Sequence, residues 1–105
     1  MRTNFRVEIG SSAKDDVQAI HDHIALDKRG AATKWVREFY RHVRSLRETP
    51  FGYEVIPEVD DLSIPFRHLL HGNYRIIYRV YEEQRRVLVV RVIHAARILR
   101  PCFFR

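Results

Sequence analysis

The chain has 105 residues and a mass of 12.6 kDa, so one domain over 1–105 is expected, with no room for a separate targeting or regulatory module. Hydrophobic residues make up 46% and charged residues 30%, which excludes a disordered chain, and no apolar run approaches the ~18 residues of a spanning helix. A cytoplasmic protein without membrane contact is the expectation, and the lone Cys102 excludes a disulfide framework or a cysteine zinc cluster.

Asn4 to Ile9 alternates, with Phe5, Val7 and Ile9 on one side and Arg6 and Glu8 on the other, the period of a half-buried strand. Gly10-Ser11-Ser12 breaks it. Ser12 followed by Asp15 resembles a capping box, and Ala13, Val17, Ile20 and Ile24 recur at helical spacing, which predicts an amphipathic helix ending near Gly30. Ala32, Val36, Phe39, Val43 and Leu46 predict a second helix closed by Thr49-Pro50, and so short a link forces an antiparallel helical hairpin. Phe51 to about Leu62 reads as a loop. Three strands are then predicted at Ile64 to Leu70, Tyr74 to Tyr81 and Arg86 to His94, with turns at His71-Gly72-Asn73 and Glu83-Gln84-Arg85. The expected class is α+β: a strand, a helical hairpin and a three-strand antiparallel meander forming one sheet packed on the helices.

The formal net charge is +6, and 16 of the 19 basic residues are Arg. The guanidinium's planar donor fork suits phosphates and carboxylates, so nucleic acids and acidic proteins lead the partner classes, although Arg-favouring codon usage would produce the same excess. Residues 48–61 carry −5 between a block of +4 at 30–47 and one of +7 at 62–105, so the acidic loop is expected to neutralise part of the surface those blocks create. In the last two strands, only one pairing parity puts both apolar faces on one side. Residue numbers summing to about 168 set Tyr74, Ile76, Tyr78 and Val80 opposite His94, Val92, Val90 and Leu88, facing the helices. Arg75, Arg79 and Arg91 would then crowd a bare opposite face around Ile77 and Val89, to grip a polyanion or an acidic peptide.

The strand Tyr74-Arg75-Ile76-Ile77-Tyr78-Arg79-Val80, the ending His94-Ala95-Ala96-Arg97 and the helix start Ala13-Lys14-Asp15-Asp16-Val17 resemble, in this order and over about 5 to 98, the RelE/ParE superfamily of bacterial type II toxins. The resemblance implies a plasmid-stabilisation-type growth inhibitor neutralised by a cognate antitoxin, with a toxin–antitoxin hetero-oligomer as the expected assembly and no cofactor. ParE-like members act on DNA gyrase, and RelE-like members cut messenger RNA on the ribosome. By resemblance, Arg67, Arg75 and Arg97 would flank a scissile phosphate in the second branch, where positioned guanidiniums stabilise the pentacoordinate transition state. Glu58 would be the base. The tail offers Phe103 and Phe104, which carry no proton to donate, so His94 is the nearest acid. The missing tyrosine, and an acidic loop without lysine where the nucleases have a basic one, favour the gyrase branch. A third possibility is a non-toxic nucleic-acid or partner-binding domain on the same scaffold.

Other candidates come from spacing. Lys34, Arg37, Arg41 and Arg44 fall on one face of the second helix, either a solvated face paired in part to acids of the first helix or the acidic loop, or a docking surface for antitoxin acids or phosphates. Trp35 beside them either rims an antitoxin groove or completes the hairpin core. His94, pointed at Tyr74, is expected to be a structural core residue. His21 and His23, two apart on a helix, diverge, so no metal site is expected.

Overall fold

The computed structural model describes residues 4–56 and 65–97. A short strand β1 (Arg6–Ile9) leads into α1 (Ser11–Ala25) and α2 (Arg29–Ser45), followed by β2 (Phe66–His71), β3 (Tyr74–Tyr81) and β4 (Arg86–His94). The strands form one sheet in the order β1-β4-β3-β2, with β1 parallel to β4 and the other pairs antiparallel. β3 and β4 span the predicted limits. Start residue Ile64 of the predicted third-last strand lies outside the described residues.

The helix limits differ from expectation for local reasons. α1 stops at Ala25, five residues before Gly30, because the chain turns at Leu26-Asp27-Lys28, where the Lys28 N–H donates to the Ile24 carbonyl at 2.9 Å. Gly30 lies inside α2. The predicted Ser12–Asp15 capping box does not form: extended Gly10 is the N-cap and no side chain caps the helix. Gly10 is tied to β4 instead, its N–H donating to the Val89 carbonyl at 2.9 Å, and a Cβ there would meet that oxygen at 3.2 Å. This close approach carries the chain from edge strand to helix in one residue.

The main core lies between hairpin and sheet. Ala13, Val17 and Ile20 of α1 and Trp35, Phe39 and Val43 of α2 pack against Ile76, Tyr78, Val87, Val89 and Val92. The predicted register holds for Tyr74–His94 and Ile76–Val92 and then fails. A β-bulge shifts the pairing between Ile77 and Tyr78, so Tyr78 and Val80 face Val89 and Val87 rather than Val90 and Leu88. One extra residue on β4 inverts the facing of everything before it, since side chains alternate with period two.

The far face of the sheet is not bare, which corrects the second expectation. Ile56, Phe66, Ile77 and Ile93 form a separate apolar cluster, each at most 4% exposed, with Val90 against it. Ile56 comes from a segment paired along the outer edge of β2, where its N–H donates to the Phe66 carbonyl at 2.8 Å and His68 N–H donates to Glu54 at 3.2 Å. The sheet is therefore buried on both sides around its middle strands.

Candidate functional site

The expected patch of three guanidiniums is dispersed. Arg91 reaches Asp16 on α1, its Nε and Nη2 donating to the two carboxylate oxygens at 2.7 and 3.1 Å, while the Val92 N–H donates to the same carboxylate at 2.9 Å. β1 ends at Ile9, opposite Val89, so β4 has no strand neighbour on that side beyond this point, and Asp16 supplies the acceptor that β1 no longer offers. The bidentate pair also raises the Arg91 pKa above the ordinary guanidinium value. Arg79 lies 4.2 Å over the Phe66 ring, a cation–π contact that ties it to the far cluster. Arg75 donates from Nε and Nη2 to the Ala95 carbonyl at 3.3 and 3.1 Å.

Among the residues assigned by resemblance to a phosphate, Arg67 and Arg75 do not converge. Arg67 pairs with Tyr78, and Arg75 with Leu70. Arg75 and Tyr78 are three apart on one strand, so the two arginines leave opposite faces of the sheet. Arg67 is on the helix side, donating to the Tyr53 carbonyl at 2.6 Å and lying 5.2 Å over the Phe51 ring. Beside it the buried Tyr78 hydroxyl donates to Pro50 at 2.8 Å, and burial pushes that phenol up to about 12. Glu58, Cys102, Phe103 and Phe104 lie outside the described residues.

Arg75 and His94 do not share a face either: Arg75 pairs with Ile93 and His94 with Tyr74, so their side chains leave opposite faces of the sheet at the end of β4, where Arg97 follows in the turn. His94 is exposed, not a core residue, although its ring meets Tyr74 edge-on at 5.4 Å as expected. Its Nδ1 accepts the Ala96 N–H at 3.1 Å and its carbonyl accepts the Arg97 N–H at 3.0 Å. The Arg75 grip on Ala95 thus holds a turn in which His94 and Arg97 are both exposed.

Trp35 completes the core rather than rimming a groove. Its ring stacks on buried His71 at 4.8 Å, and His71 Nε2 donates to the Trp35 carbonyl at 3.0 Å. His42 lies 4.9 Å from His71, and burial, reinforced by the neighbouring His71 and Arg41, lowers its pKa. His21 donates from Nδ1 to Asp22 at 3.1 Å. Asp16 and this stack escaped sequence reasoning: the Asp15-Asp16 pair looks like an ordinary helix start, and nothing local links Trp35 to a histidine 36 residues on.

Lys34, Arg37, Arg41 and Arg44 are all exposed on the solvent side of α2. Among the described residues the stripe's ion pairing is one contact, Arg41 to Glu38 at 3.7 Å within the same helix, so the expected pairing to α1 is not found. Within the acidic loop, Glu54 takes a hydrogen bond from His68 Nε2 at 2.9 Å, and Glu58, Asp60 and Asp61 lie outside the described residues. Between α2 and the edge strand runs an open groove of about 610 Å³, with Phe5, Val7, Tyr40 and Val43 along its floor and Arg6, Arg44 and Arg47 at its rim. No helix among the described residues is long and apolar enough to cross a membrane.

A helical hairpin on a four-stranded sheet whose last strand pairs with the first is the fold of the RelE/ParE toxins. The chain superposes on a structure of the chromosomal ParDE system from P. aeruginosa with a TM-score of 0.67, at 20% identity over 86% of this chain and 95% of that one. The archaeal RelE–RelB complex from Pyrococcus horikoshii OT3 matches at 0.63, with 19% identity over 90% and 99%, and the RelBE2 toxin–antitoxin complex from Mycobacterium tuberculosis at 0.56, with 18% identity over 88% and 99%. No curated protein matches the sequence. The model for the ParE toxin of type II toxin–antitoxin systems matches residues 7–99. The chain belongs to that toxin family.

Proposed function

We propose that this toxin arrests growth by acting on DNA gyrase and is held inactive by a cognate antitoxin. The observation that carries the choice of target is the division of Arg67 and Arg75 between opposite faces of the sheet. A nuclease working by 2′-hydroxyl attack needs its cations on one phosphate, because transition-state charge is stabilised by groups already in place. Arg67 is further committed to Tyr53 and Phe51. A toxin that works by binding a protein has no such requirement. The family match supports the same branch. An antitoxin partner is suggested by the toxin–antitoxin systems above, and this chain's own groove between α2 and β1 is its proposed seat, since an apolar floor and arginine rim suit a peptide with apolar anchors and acidic flanks.

The messenger RNA nuclease is the second reading, favoured by the turn at His94–Arg97, which carries an exposed histidine and an exposed arginine and is held by Arg75 through the Ala95 carbonyl. Inducing the full chain and following macromolecular synthesis separates the two. Filamentation with DNA-damage signalling, relieved by co-expression of the neighbouring gene product, is the expected result. Early loss of translation with transcripts cut within codons, abolished by Arg75→Ala or Arg97→Ala, would replace gyrase with the ribosome. Unimpeded growth would leave a binding domain on a toxin scaffold.

A further inference from the structure

We infer that the exposed face of α2 is a binding surface for single-stranded nucleic acid, gripped through its phosphates by Lys34, Arg37, Arg41 and Arg44, with Tyr40 as a stacking platform. This goes beyond the action on gyrase and does not depend on it.

The four cations repeat at spacings of 3, 4 and 3, and Arg47 continues the row just past the helix end. At 1.5 Å per residue the row from Lys34 to Arg47 is about 20 Å long. Neighbours at these spacings sit on the same face, where like charges destabilise a helix. The helix is also charged against its own dipole at the start: its first turn holds no acid, Lys28 is the N-cap and Arg29 opens it. Among the described residues, Lys34, Arg37 and Arg44 make no ion pair, and Arg41 makes the 3.7 Å contact to Glu38 while staying 71% exposed. Two of the three α1 acids that could have compensated are engaged elsewhere, Asp16 holding Arg91 and Asp22 taking hydrogen bonds from Gln18 and His21. A face required only to be wet would mix both signs; this one keeps a repulsive row that the fold does not use.

The neighbours of the row identify the polyanion. Of the exposed positions on the row's face, Thr33 and Ser45 are polar and Tyr40 is the aromatic one, and the apolar anchors for an amphipathic acidic peptide lie in the neighbouring groove rather than along the row from Lys34 to Arg41. Arg41, Arg44 and Arg47 instead surround a hollow of about 390 Å³ whose other walls are Asn4, Ser45 and Glu48, three guanidiniums against one acid, with the Asn4 amide as a neutral donor and the Ser45 hydroxyl given to the His42 carbonyl. Tyr40 lies one turn from both Arg37 and Arg44 and is 44% exposed, its ring held edge-on against Phe39 at 5.1 Å. Cations that track phosphates, with an aromatic face open for a base, are the elements of single-strand binding. RNA and DNA strands should bind alike, since nothing on this face selects the 2′-hydroxyl.

The test is fluorescence anisotropy of the full chain with labelled 20-residue single strands of mixed sequence, RNA and DNA, across a salt series. Neutralising the row (Lys34→Gln, Arg37→Gln, Arg41→Gln, Arg44→Gln) should weaken binding at least ~30-fold and reduce the slope of log affinity against log salt by about 3, four contacts at roughly 0.7 each. Neutralising four cations elsewhere (Lys14→Gln, Lys28→Gln, Arg85→Asn, Arg86→Gln) should cost less than ~3-fold. Tyr40→Leu should weaken binding about 10-fold with the slope unchanged. The row variant should melt no lower than the parent chain, since relief of repulsion cannot unfold it. Equal losses from the two neutralised sets would reduce the effect to net charge and overturn the proposal. So would duplex DNA bound as tightly as single strands, or competition by polyglutamate as effective, charge for charge, as by the oligonucleotide.

Discussion

Asp16 accepts three hydrogen bonds from β4, two from Arg91 and one from the Val92 amide, with side-chain exposures of 22% for Arg91 and 17% for Asp16. Removing the carboxylate strands a mostly buried guanidinium and an edge amide together, so Asp16→Ala should cost about 2–3 kcal/mol in urea denaturation. Arg91→Met, which leaves Asp16 its bond to Val92, should cost less; equal or smaller loss from Asp16→Ala would demote the carboxylate to a surface group. His42 predicts a pH dependence. Burial and the neighbouring His71 and Arg41 favour its neutral ring in the folded chain, below the ordinary value of 6.5. On acidification the unfolded chain therefore takes up this proton first, so the contribution is present above pH 6.5 and is lost as the pH falls from there through the folded value. His42→Gln should flatten that part of the stability curve, and parallel curves for the two proteins would refute the assignment.

At the scale of elements, two glycines in different backbone states should respond with opposite signs. Gly30 is helical within α2, and a Cβ there would meet nothing within 4 Å, so Gly30→Ala should stabilise the chain by about 0.4–1 kcal/mol. Gly72 closes the β2–β3 turn with φ of 60°, and its added Cβ would lie an ordinary 3.8 Å from Trp35 Nε1. The penalty there is backbone strain rather than a clash, and Gly72→Ala should cost roughly 1–2 kcal/mol. Thermal melts of the two variants, moving in opposite directions from the parent chain, check both. The elements themselves were largely legible in the amino-acid order: Tyr74–Tyr81 and Arg86–His94 form the strands that alternation predicts, because periodicity is written locally. The helix ends were less so, since α1 is started by Gly10 binding β4 rather than by its own Ser12 and Asp15.

At the scale of the molecule, two-sided burial of the sheet is the property with the clearest consequence. Ile76 faces the helices and Ile77 the far cluster, both with 0% exposure. Ile77→Ala should therefore cost about 2–4 kcal/mol, comparable to Ile76→Ala, where a solvated face would lose under ~1. Chemical denaturation of the pair decides it. The same second cluster explains why the candidate site was only partly readable. Alternation correctly placed Arg75 and Arg79 away from the helices, but it carried no sign that Ile56 would pack beneath them, or that Asp16, 75 residues before Arg91, would claim that guanidinium.

Local order determined the class of this protein: an apolar period of two or near 3.6 is a property of consecutive residues, and with the Tyr74–Val80 and His94–Arg97 segments it was enough to point to the toxin family. The partners of its charges belonged to the tertiary structure. One inserted residue in β4 reversed which valines face the helices, and the end of β1 at Ile9 decided that Arg91 serves the fold. Whether a guanidinium is exposed or committed depends on what distant segments bring within about 3 Å of it, and no spacing within the chain encodes that distance.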